Sequence, residues 1–384
     1  MRRLGLALAL VSCLFWAGML VACAGSTTTT APDETGLSPT TSDTAAPPTD
    51  ESESPLSSDQ PAPRSSAGLF YDPTLEKVIL FGGETGTTAY GDTWAYDPSS
   101  NHWMELAPDG EAPAGRSMFA FAYDSTRHQA LLFGGGGMDE AFDETWAYDP
   151  AGNLWSRLEP SGDLPPVRWA TSAIYDPARD QVLLFGGAGL DGMLNDTWAY
   201  DPEESAWRAL DPPGSMPGPR GFLSVVLHPE SGKVILFGGG TEEADFNDTW
   251  AYDPAANRWT ELAPAGSIPA ERSGYALVYD SAAGGMILFG GFNAADDFND
   301  TWAYDPATNR WTDLAPAGVL PSKRGFHAMA YDPETGQVIM FGGFDGNQYL
   351  NDTWTYDPAT NEWTESIPAT GGALQARARP RPLS

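Results

Sequence analysis

The chain has 384 residues, with 20 Lys and Arg against 52 Asp and Glu, which gives a formal net charge of −32. A chain this acidic has no basic stripe with which to neutralise phosphates, so a nucleic-acid partner is excluded. Only two cysteines occur, Cys13 and Cys23, both near the N-terminus. The rest of the chain therefore has no disulfide framework and no cysteine metal site.

The first 22 residues have the pattern of an export signal. Arg2 and Arg3 precede an apolar run over 4–22, which ends in Leu-Val-Ala directly before Cys23. This pattern resembles the signal peptide of bacterial lipoproteins. The resemblance implies a signal peptide over 1–22, a lipid anchor on Cys23, and a location in the bacterial cell envelope outside the cytoplasmic membrane. An uncleaved anchor helix is the alternative, because the run approaches membrane-spanning length.

The next segment, 23–63, is rich in Ser, Thr, Pro and acidic residues. It carries too little apolar surface to offset the entropy of ordering, so we expect a disordered tether. About 40 residues of coil reach roughly 35 Å, enough to hold a domain away from the membrane.

Six copies of one sequence frame follow without an insertion. Each copy has an apolar run ended by a Gly pair, a loop, a Thr-Trp segment, an Asp-Pro turn and a second Trp, and each lies 52 residues after the last. Such a period indicates one continuous repeat architecture rather than two or three domains. The repeats cover 64–115, 116–167, 168–219, 220–271, 272–323 and 324–370, and a tail over 371–384 is expected to lie loosely on the surface.

Each repeat predicts four short strands, which we label A to D in chain order. In the sixth repeat they are expected over 326–331, 337–341, 353–356 and 362–365, separated by turn residues such as Asp-Pro and Gly. The pattern predicts an all-β fold with no helix. The two Trp of each repeat are expected to pack between neighbouring repeats.

A Gly pair after an apolar strand, followed by a Tyr and a Trp separated by six residues, as in Tyr96 and Trp103, resembles the kelch repeat. The resemblance covers 64–370 and implies a six-bladed β-propeller with four antiparallel strands in each blade. Each blade is expected to come from a single repeat, without exchange of a terminal strand. The B–C and D–A loops then share one face, and they are the variable part of the repeat.

An arginine ends each D–A loop, and the six arginines are expected to surround the mouth of the central channel on the variable face. There they are candidates for binding a carboxylate or phosphate group. Pairing with the carboxylates or carbonyls of the next blade is the alternative, and repetition alone favours it. The six are Arg64, Arg116, Arg168, Arg220, Arg272 and Arg324.

Residues that break the six-fold pattern are sharper candidates. Phe119, Trp169 and Tyr275, together with the arginines, are predicted to form an aromatic and cationic mouth suited to a sugar or peptide. His327 matches a histidine often found in kelch repeats, where it is commonly structural.

The sequence contains no catalytic constellation, and no cofactor or metal site is expected. The copper-radical oxidases built on kelch propellers need a cross-linked Cys, which the repeats lack. Asp296-Asp297 and Glu242-Glu243 are at most weak cation binders. The favoured hypothesis is a lipid-anchored binding module for an envelope or extracellular peptide, glycan or protein. The alternative is a carbohydrate-active enzyme, such as a sugar epimerase or mutarotase, whose acid–base groups come from the arginines and acidic loops.

Overall fold

The computed structural model describes residues 59–368. The predicted signal peptide, Cys23, most of the tether and the C-terminal tail lie outside these residues. Strands and turns make up the described part, and none of it forms a helix long and apolar enough to cross a membrane.

The first three blades follow the chain in order. Blade 1 contains β1 (Gly68–Asp72), β2 (Lys77–Phe81), β3 (Glu84–Thr85), β4 (Thr88–Ala89), β5 (Thr93–Asp97) and β6 (His102–Leu106). Blade 2 contains β7 (Ala120–Asp124), β8 (Gln129–Phe133), β9 (Thr145–Asp149) and β10 (Leu154–Leu158). Blade 3 contains β11 (Ser161–Gly162), β12 (Arg168–Trp169), β13 (Ser172–Asp176), β14 (Gln181–Gly189), β15 (Gly192–Asp201) and β16 (Ala206–Leu210).

The last three blades repeat the arrangement. Blade 4 contains β17 (Ser224–His228), β18 (Lys233–Phe237), β19 (Thr249–Asp253) and β20 (Arg258–Leu262). Blade 5 contains β21 (Ala276–Asp280), β22 (Gly285–Phe289), β23 (Thr301–Asp305) and β24 (Arg310–Asp313). Blade 6 contains β25 (Ala328–Asp332), β26 (Gln337–Phe344), β27 (Tyr349–Asp357) and β28 (Glu362–Ile367).

Every blade is an antiparallel sheet in the order A-B-C-D, and all four main strands come from one repeat. The A strands of neighbouring blades touch all the way round, including the last blade against the first. Strand A is therefore innermost and strand D outermost. The prediction of a six-bladed propeller with four antiparallel strands in each blade is confirmed.

The predicted strand ends differ from the structure in three respects, the simplest of which is that strand D of blade 6 runs to Ile367 rather than ending at residue 365. Strand A of blade 6 begins at Ala328 rather than at Phe326, because Phe326 has a φ of 59°, which is not a strand conformation. The B and C strands of blade 6 run on past the Gly pair and form a hairpin, in which Phe344 pairs with Tyr349.

Residues 59–63 fall in the predicted disordered tether but pack on blade 6. Asn351 Nδ2 donates to the carbonyl of Pro61 at 3.1 Å, as Asn299 does to Pro321 within the ring. The segment thus replaces the D–A loop that the first blade lacks. Residues 59–63 make this contact because blade 6 has the same surface on which the other blades pack a D–A loop.

Candidate functional site

The six repeat arginines are buried, with at most 3% of each residue exposed. Each donates to a carboxylate 28 residues later in its own blade, at 2.5–2.9 Å. Each also donates to the carbonyl of the first glycine of its Gly pair, as Arg168 does to Gly186 at 3.0 Å. The carboxylates are Asp92, Glu144, Asp196, Asp248, Asp300 and Asp352.

The same carboxylate also accepts from the first Trp of the repeat, so that Asp196 Oδ2 lies 2.7 Å from Trp198 Nε1. In four blades an aromatic ring from the B–C loop covers the guanidinium, as Phe142 covers Arg116 at 3.8 Å. The prediction that the arginines face the channel mouth is therefore wrong. Pairing is the better interpretation, but with the arginine's own blade rather than the next one.

The ion pairs set the charge of their carboxylates. Burial raises the pKa of Asp92, Asp196 and Asp300, but the hydrogen bonds and charge of the paired arginines outweigh it and hold each pKa below its usual value. The pKa of Glu144 is lowered for the same reason. These groups stay ionised and paired at neutral pH, which gives the arginines a structural role. A role in ligand binding stays a prediction.

The residues two places after each arginine surround the axis instead. The backbone N–H of each donates to the carbonyl of its counterpart in the preceding blade, at 2.7–3.2 Å, and the six bonds form a closed circle. All six have φ between 52° and 63°, which points each N–H and C=O around the axis. We call this circle the axial ring; its members are Ser66, Met118, Ala170, Phe222, Gly274 and Phe326.

An apolar cluster covers most of the axial ring on the loop face. Phe222 and Phe326 meet edge to face with centroids 5.7 Å apart, and Phe292 packs on Phe326 at 4.9 Å. A Cβ on Gly274 would come within 2.6 Å of the Phe292 ring, so glycine makes room for that ring. We call the set the axial cluster; it contains Met118, Ala141, Trp169, Ala170, Ala188, Met193, Phe222, Phe292 and Phe326.

Among the three predicted aromatic candidates, the structure places only Trp169 at the mouth. Trp169 belongs to the axial cluster, and its Nε1 is buried without a hydrogen-bond partner. Phe119 packs between blades 1 and 2 against Phe81, with centroids 5.6 Å apart. The hydroxyl of Tyr275 donates to the carbonyl of Phe237 between blades 4 and 5. The predicted aromatic and cationic mouth is therefore wrong in this form.

His327 lies between blades 5 and 6, edge-on to the Phe289 ring at 5.4 Å. It is 6% exposed, and burial together with the charge of Arg324 lowers its pKa to about 3. The imidazole is therefore neutral at physiological pH and has no route to a bulk ligand. Its role here is to fill a gap between two blades.

Glu84 is the polar group at the mouth that the sequence pattern did not single out. It stands 20 residues after Arg64, where the other repeats have Gly136, Ala188, Gly240, Phe292 and Phe344. Its backbone pairs with Ser65, and its carboxylate accepts from the Ser117 side chain of the next blade. Phe292, at the equivalent position of blade 5, packs on Gly325 of the next blade, so both side chains contact the residue that follows the next blade's arginine.

Burial raises the pKa of Glu84 to about 7, against the opposing effect of the Ser117 hydrogen bond. Within the described residues no Lys or Arg forms an ion pair with it. The signal that could have revealed it is its position, because it is the one ionisable residue among six equivalent positions.

The loop face around the mouth is strongly acidic. The B–C loops, 84–91 and its five counterparts, contain no Lys or Arg. Apart from the buried arginine at the end of each one, the D–A loops between the repeats contain only Lys323. The B–C loop carboxylates are Glu84, Asp139, Glu140, Asp143, Asp191, Glu242, Glu243, Asp245, Asp296, Asp297 and Asp345. The described residues hold no group of three or more His, Cys, Asp or Glu placed to bind a metal ion.

The opposite face has a cavity of about 160 Å³ between blades 2 and 3, lined by Arg127, Val182 and Tyr200 among others. Arg127 donates to Asp124 at 3.0 Å and to Asp180 at 2.6 Å, so its charge is already paired. The cavity therefore has less to offer a ligand than the axial mouth.

Comparison with known proteins agrees with the repeat geometry. The chain is 27% identical to bovine Kelch domain-containing protein 2 over 250 residues, which cover 58% of this chain and 60% of that protein. It is 28% identical to mouse Multiple epidermal growth factor-like domains protein 8 over 244 residues, or 60% of this chain and 9% of that protein. It is 27% identical to human Kelch domain-containing protein 3 over 280 residues, or 65% of this chain and 70% of that protein.

The chain thus spans less than two thirds of the first two of these relatives. The model of the KLHDC2/KLHL20/DRC7 Kelch-repeats domain matches residues 49–239 and 231–381, which include all six repeats. Together with the Gly pairs, the buried arginines and the single-repeat blades, this match shows that the chain belongs to the KLHDC2/KLHL20/DRC7 Kelch-repeat family.

Proposed function

We propose that this propeller is an interaction module whose B–C and D–A loop face binds a peptide, glycan or protein outside the cytoplasmic membrane. The proposal rests on one observation: the residues that all repeats share and the residues that differ between repeats lie in different places. The residues common to all six repeats make contacts inside the propeller. The residues that differ between repeats at Glu84, Ser66 and the axial cluster lie around the mouth.

The alternative of a carbohydrate-active enzyme has less support. The arginines assigned to it are buried in ion pairs, and His327 stays neutral between two blades. Burial raises the pKa of two carboxyl groups around the mouth, Glu84 and Asp245, and each accepts a hydrogen bond from a serine of the next blade. They belong to blades 1 and 4, on opposite sides of the ring, whereas acid–base catalysis on a sugar needs an acid and a base positioned at one reacting group.

The binding proposal is tested by capture from envelope extracts with the purified propeller. Asp139→Lys/Glu140→Lys reverses two exposed charges on the loop face, and Glu203→Lys/Glu204→Lys makes the same change on the opposite face. Loss of the captured partners in the first variant but not the second supports the proposal. Equal capture by both variants and the parent would contradict it.

The anchor is a separate part of the proposal and rests on the resemblance around Cys23. Cells fed radiolabelled palmitate are expected to label the full parent chain and to leave a Cys23→Ser variant unlabelled. A parent chain that stays in the membrane fraction without any label would favour the uncleaved anchor helix instead.

A further inference from the structure

Glu84 faces a sector of the mouth that suits an aliphatic cation. Around the axial ring, Ser66 lies between Phe326 and Met118, because its N–H donates to Phe326 and its C=O accepts from Met118. Met118 and Phe326 are half-buried, so their side chains present apolar surface at the rim. Glu84 stands directly beside them, since it pairs with Ser65 and binds Ser117. A carboxylate thus borders an apolar shelf.

Two polar atoms beside this shelf have no hydrogen-bond partner among residues 59–368. The hydroxyl oxygen of Ser66, on the axial ring, is buried without a hydrogen bond, and so is Trp169 Nε1. Buried polar atoms in proteins are rarely left without a hydrogen bond, so these two atoms are places where a further partner would complete the bonding. The Ser66 hydroxyl supplies a second acceptor near Glu84, and Trp169 supplies a donor for a carbonyl.

The charge around the mouth favours a positive ligand and disfavours a negative one. The B–C loops carry eleven carboxylates and no cation. The arginines that would attract an anion are buried and paired with carboxylates of their own blades. A negative group at the mouth would meet repulsion from the loops and find no free guanidinium.

We propose that the axial mouth receives a Lys or Arg side chain of a partner polypeptide, with its charged end on Glu84 and its alkyl stem on Met118 and Phe326. This rests on the proposed binding function and names the chemistry of the partner. Long cationic side chains suit such a site because their stems bury apolar surface while their heads keep polar contacts. Further basic residues of the partner then face the acidic loops, which speeds association and makes it sensitive to salt.

Proton linkage gives the site a signature. Burial raises the pKa of the Glu84 carboxyl to about 7, so the carboxyl is mostly protonated below that pH. It must then lose its proton before it can pair with a cation. Affinity for a cationic side chain is then full well above pH 7 and falls as the pH drops through 7, until it reaches the affinity for an uncharged side chain of the same length. Tyr349 is the titratable neighbour across from Glu84, and burial followed by the charge of Glu84 raises its pKa, so it stays neutral in this range.

The test uses two synthetic peptides, Ac-Ala-Leu-Lys-Leu-Ala-NH2 and its norleucine counterpart, which keeps the stem and loses the charge. Affinity for the purified propeller is measured by NMR titration, with the Trp169 indole N–H as the local reporter. At pH 8 we expect the Lys peptide to bind about tenfold more tightly, since a charge-assisted hydrogen bond contributes at least that factor. Glu84→Gln should bring the two affinities within about twofold and abolish the fall in affinity from pH 8 to pH 6.

Glu230→Gln on the opposite face removes one exposed carboxylate and is the matched control, so it should keep the Lys preference. The proposal is wrong if Glu84→Gln binds the Lys peptide as tightly as the parent does, or if the two peptides bind equally. If the loop face captures extract partners but shows no Lys preference, only the cationic contact is wrong. If the preference holds and extract capture fails, the site stands and the proposed function loses its support.

Discussion

Trp103 Nε1 donates to Thr353 Oγ1 at 2.9 Å and so joins the first blade to the last. The same bond joins every other pair of neighbouring blades, at 2.9–3.3 Å, between the outer-strand Trp of one blade and the third-strand Thr of the preceding blade. The ring is therefore closed by a copy of its internal contact, because no strand is exchanged between the termini. This junction differs from the others in having no covalent loop across it.

Trp103→Phe removes this bond and leaves Thr353 Oγ1 buried without its donor. We expect a loss of about 2 kcal/mol in the free energy of unfolding, from the lost hydrogen bond and the smaller ring. We also expect faster amide exchange in β1 and β28, since nothing covalent holds blades 1 and 6 together. Hydrogen exchange with mass spectrometry measures both effects.

Trp207→Phe is the matched control, because Trp207 makes the same bond to Thr145 inside the ring at 3.0 Å. It should cost a similar free energy, but exchange should stay slow at the blade 2–3 junction, where the D–A loop links the blades. Equal local exchange in the two variants would show that the open junction is no weaker than the others.

Arg168 tests the structural role of the repeat arginines. Arg168→Met leaves Asp196 with only the Trp198 indole and the Gly186 carbonyl without its donor. Breaking a buried pair by removing one partner costs about 3–5 kcal/mol, and we expect a loss of that size in chemical denaturation. Arg168→Lys keeps the charge but cannot form the two parallel bonds, so its loss should be intermediate. A stable Arg168→Met variant with altered binding would instead support a role in ligand contact.

The ion pairs also predict how the protein responds to acid. The pKa values of Asp92, Glu144, Asp196 and Asp300 are lower in the folded protein than in the unfolded chain. The folded state is therefore favoured above the unfolded pKa, near 4, and this contribution is lost as the pH falls through the folded values. The contribution of these pairs should be constant between pH 7 and pH 5, so the denaturation midpoint should drop most sharply between pH 5 and pH 3. Asp196→Asn should lower stability at pH 7 and reduce the size of that drop.

Much of the fold can be predicted from the sequence because the same pattern of strands and turns occurs six times. The Gly pairs, the turns and the two Trp fix strand order and blade number, and the single-repeat blades follow from where the first repeat begins. Strand lengths do not follow, since the long hairpin in blade 6 depends on Phe344 pairing with Tyr349 across the loop.

The candidate site was harder to predict because the sequence gives no direction to a side chain. The repeated arginines looked available, yet a carboxylate 28 residues away holds each one inside its blade. The carboxylate recurs with the arginine, which is a signal for pairing. Glu84 was missed for a different reason: its raised pKa comes from burial against the next blade, where its carboxylate contacts Ser117, and this contact between separate repeats cannot be read from the sequence.

His327 should be replaceable by an aromatic residue. The equivalent positions hold Phe119 and Tyr275, so His327→Phe suits the same gap between blades. Because the folded pKa is about 3 against an ordinary value of 6.5, the unfolded chain binds a proton that the folded protein excludes. The stability that this gives is complete above pH 6.5 and is lost as the pH falls toward 3.

His327→Phe should therefore match the parent at pH 8 and be more stable than the parent at pH 5, as measured by the denaturation midpoint. Binding of extract partners should be unchanged. Loss of binding with an intact fold would show that the histidine takes part in recognition after all.

The pKa of Glu84 is shifted up on folding, whereas that of His327 is shifted down, so the two groups change stability with pH in opposite directions. This difference distinguishes a binding group from a structural one. Its folded pKa of about 7 lies above the ordinary value of 4.5, so the folded protein holds a proton that the unfolded chain has lost. Stability therefore falls as the pH rises from 4.5 to 7. Glu84→Gln removes this cost and should raise the free energy of unfolding at pH 8 by about 1–3 kcal/mol, with no difference at pH 4. Glu230→Gln should change neither value. A Glu84→Gln variant that is less stable than the parent at pH 8 would mean that contacts inside the fold stabilise the carboxylate. Glu84 would then be a structural residue, and the argument for a cationic partner would fail.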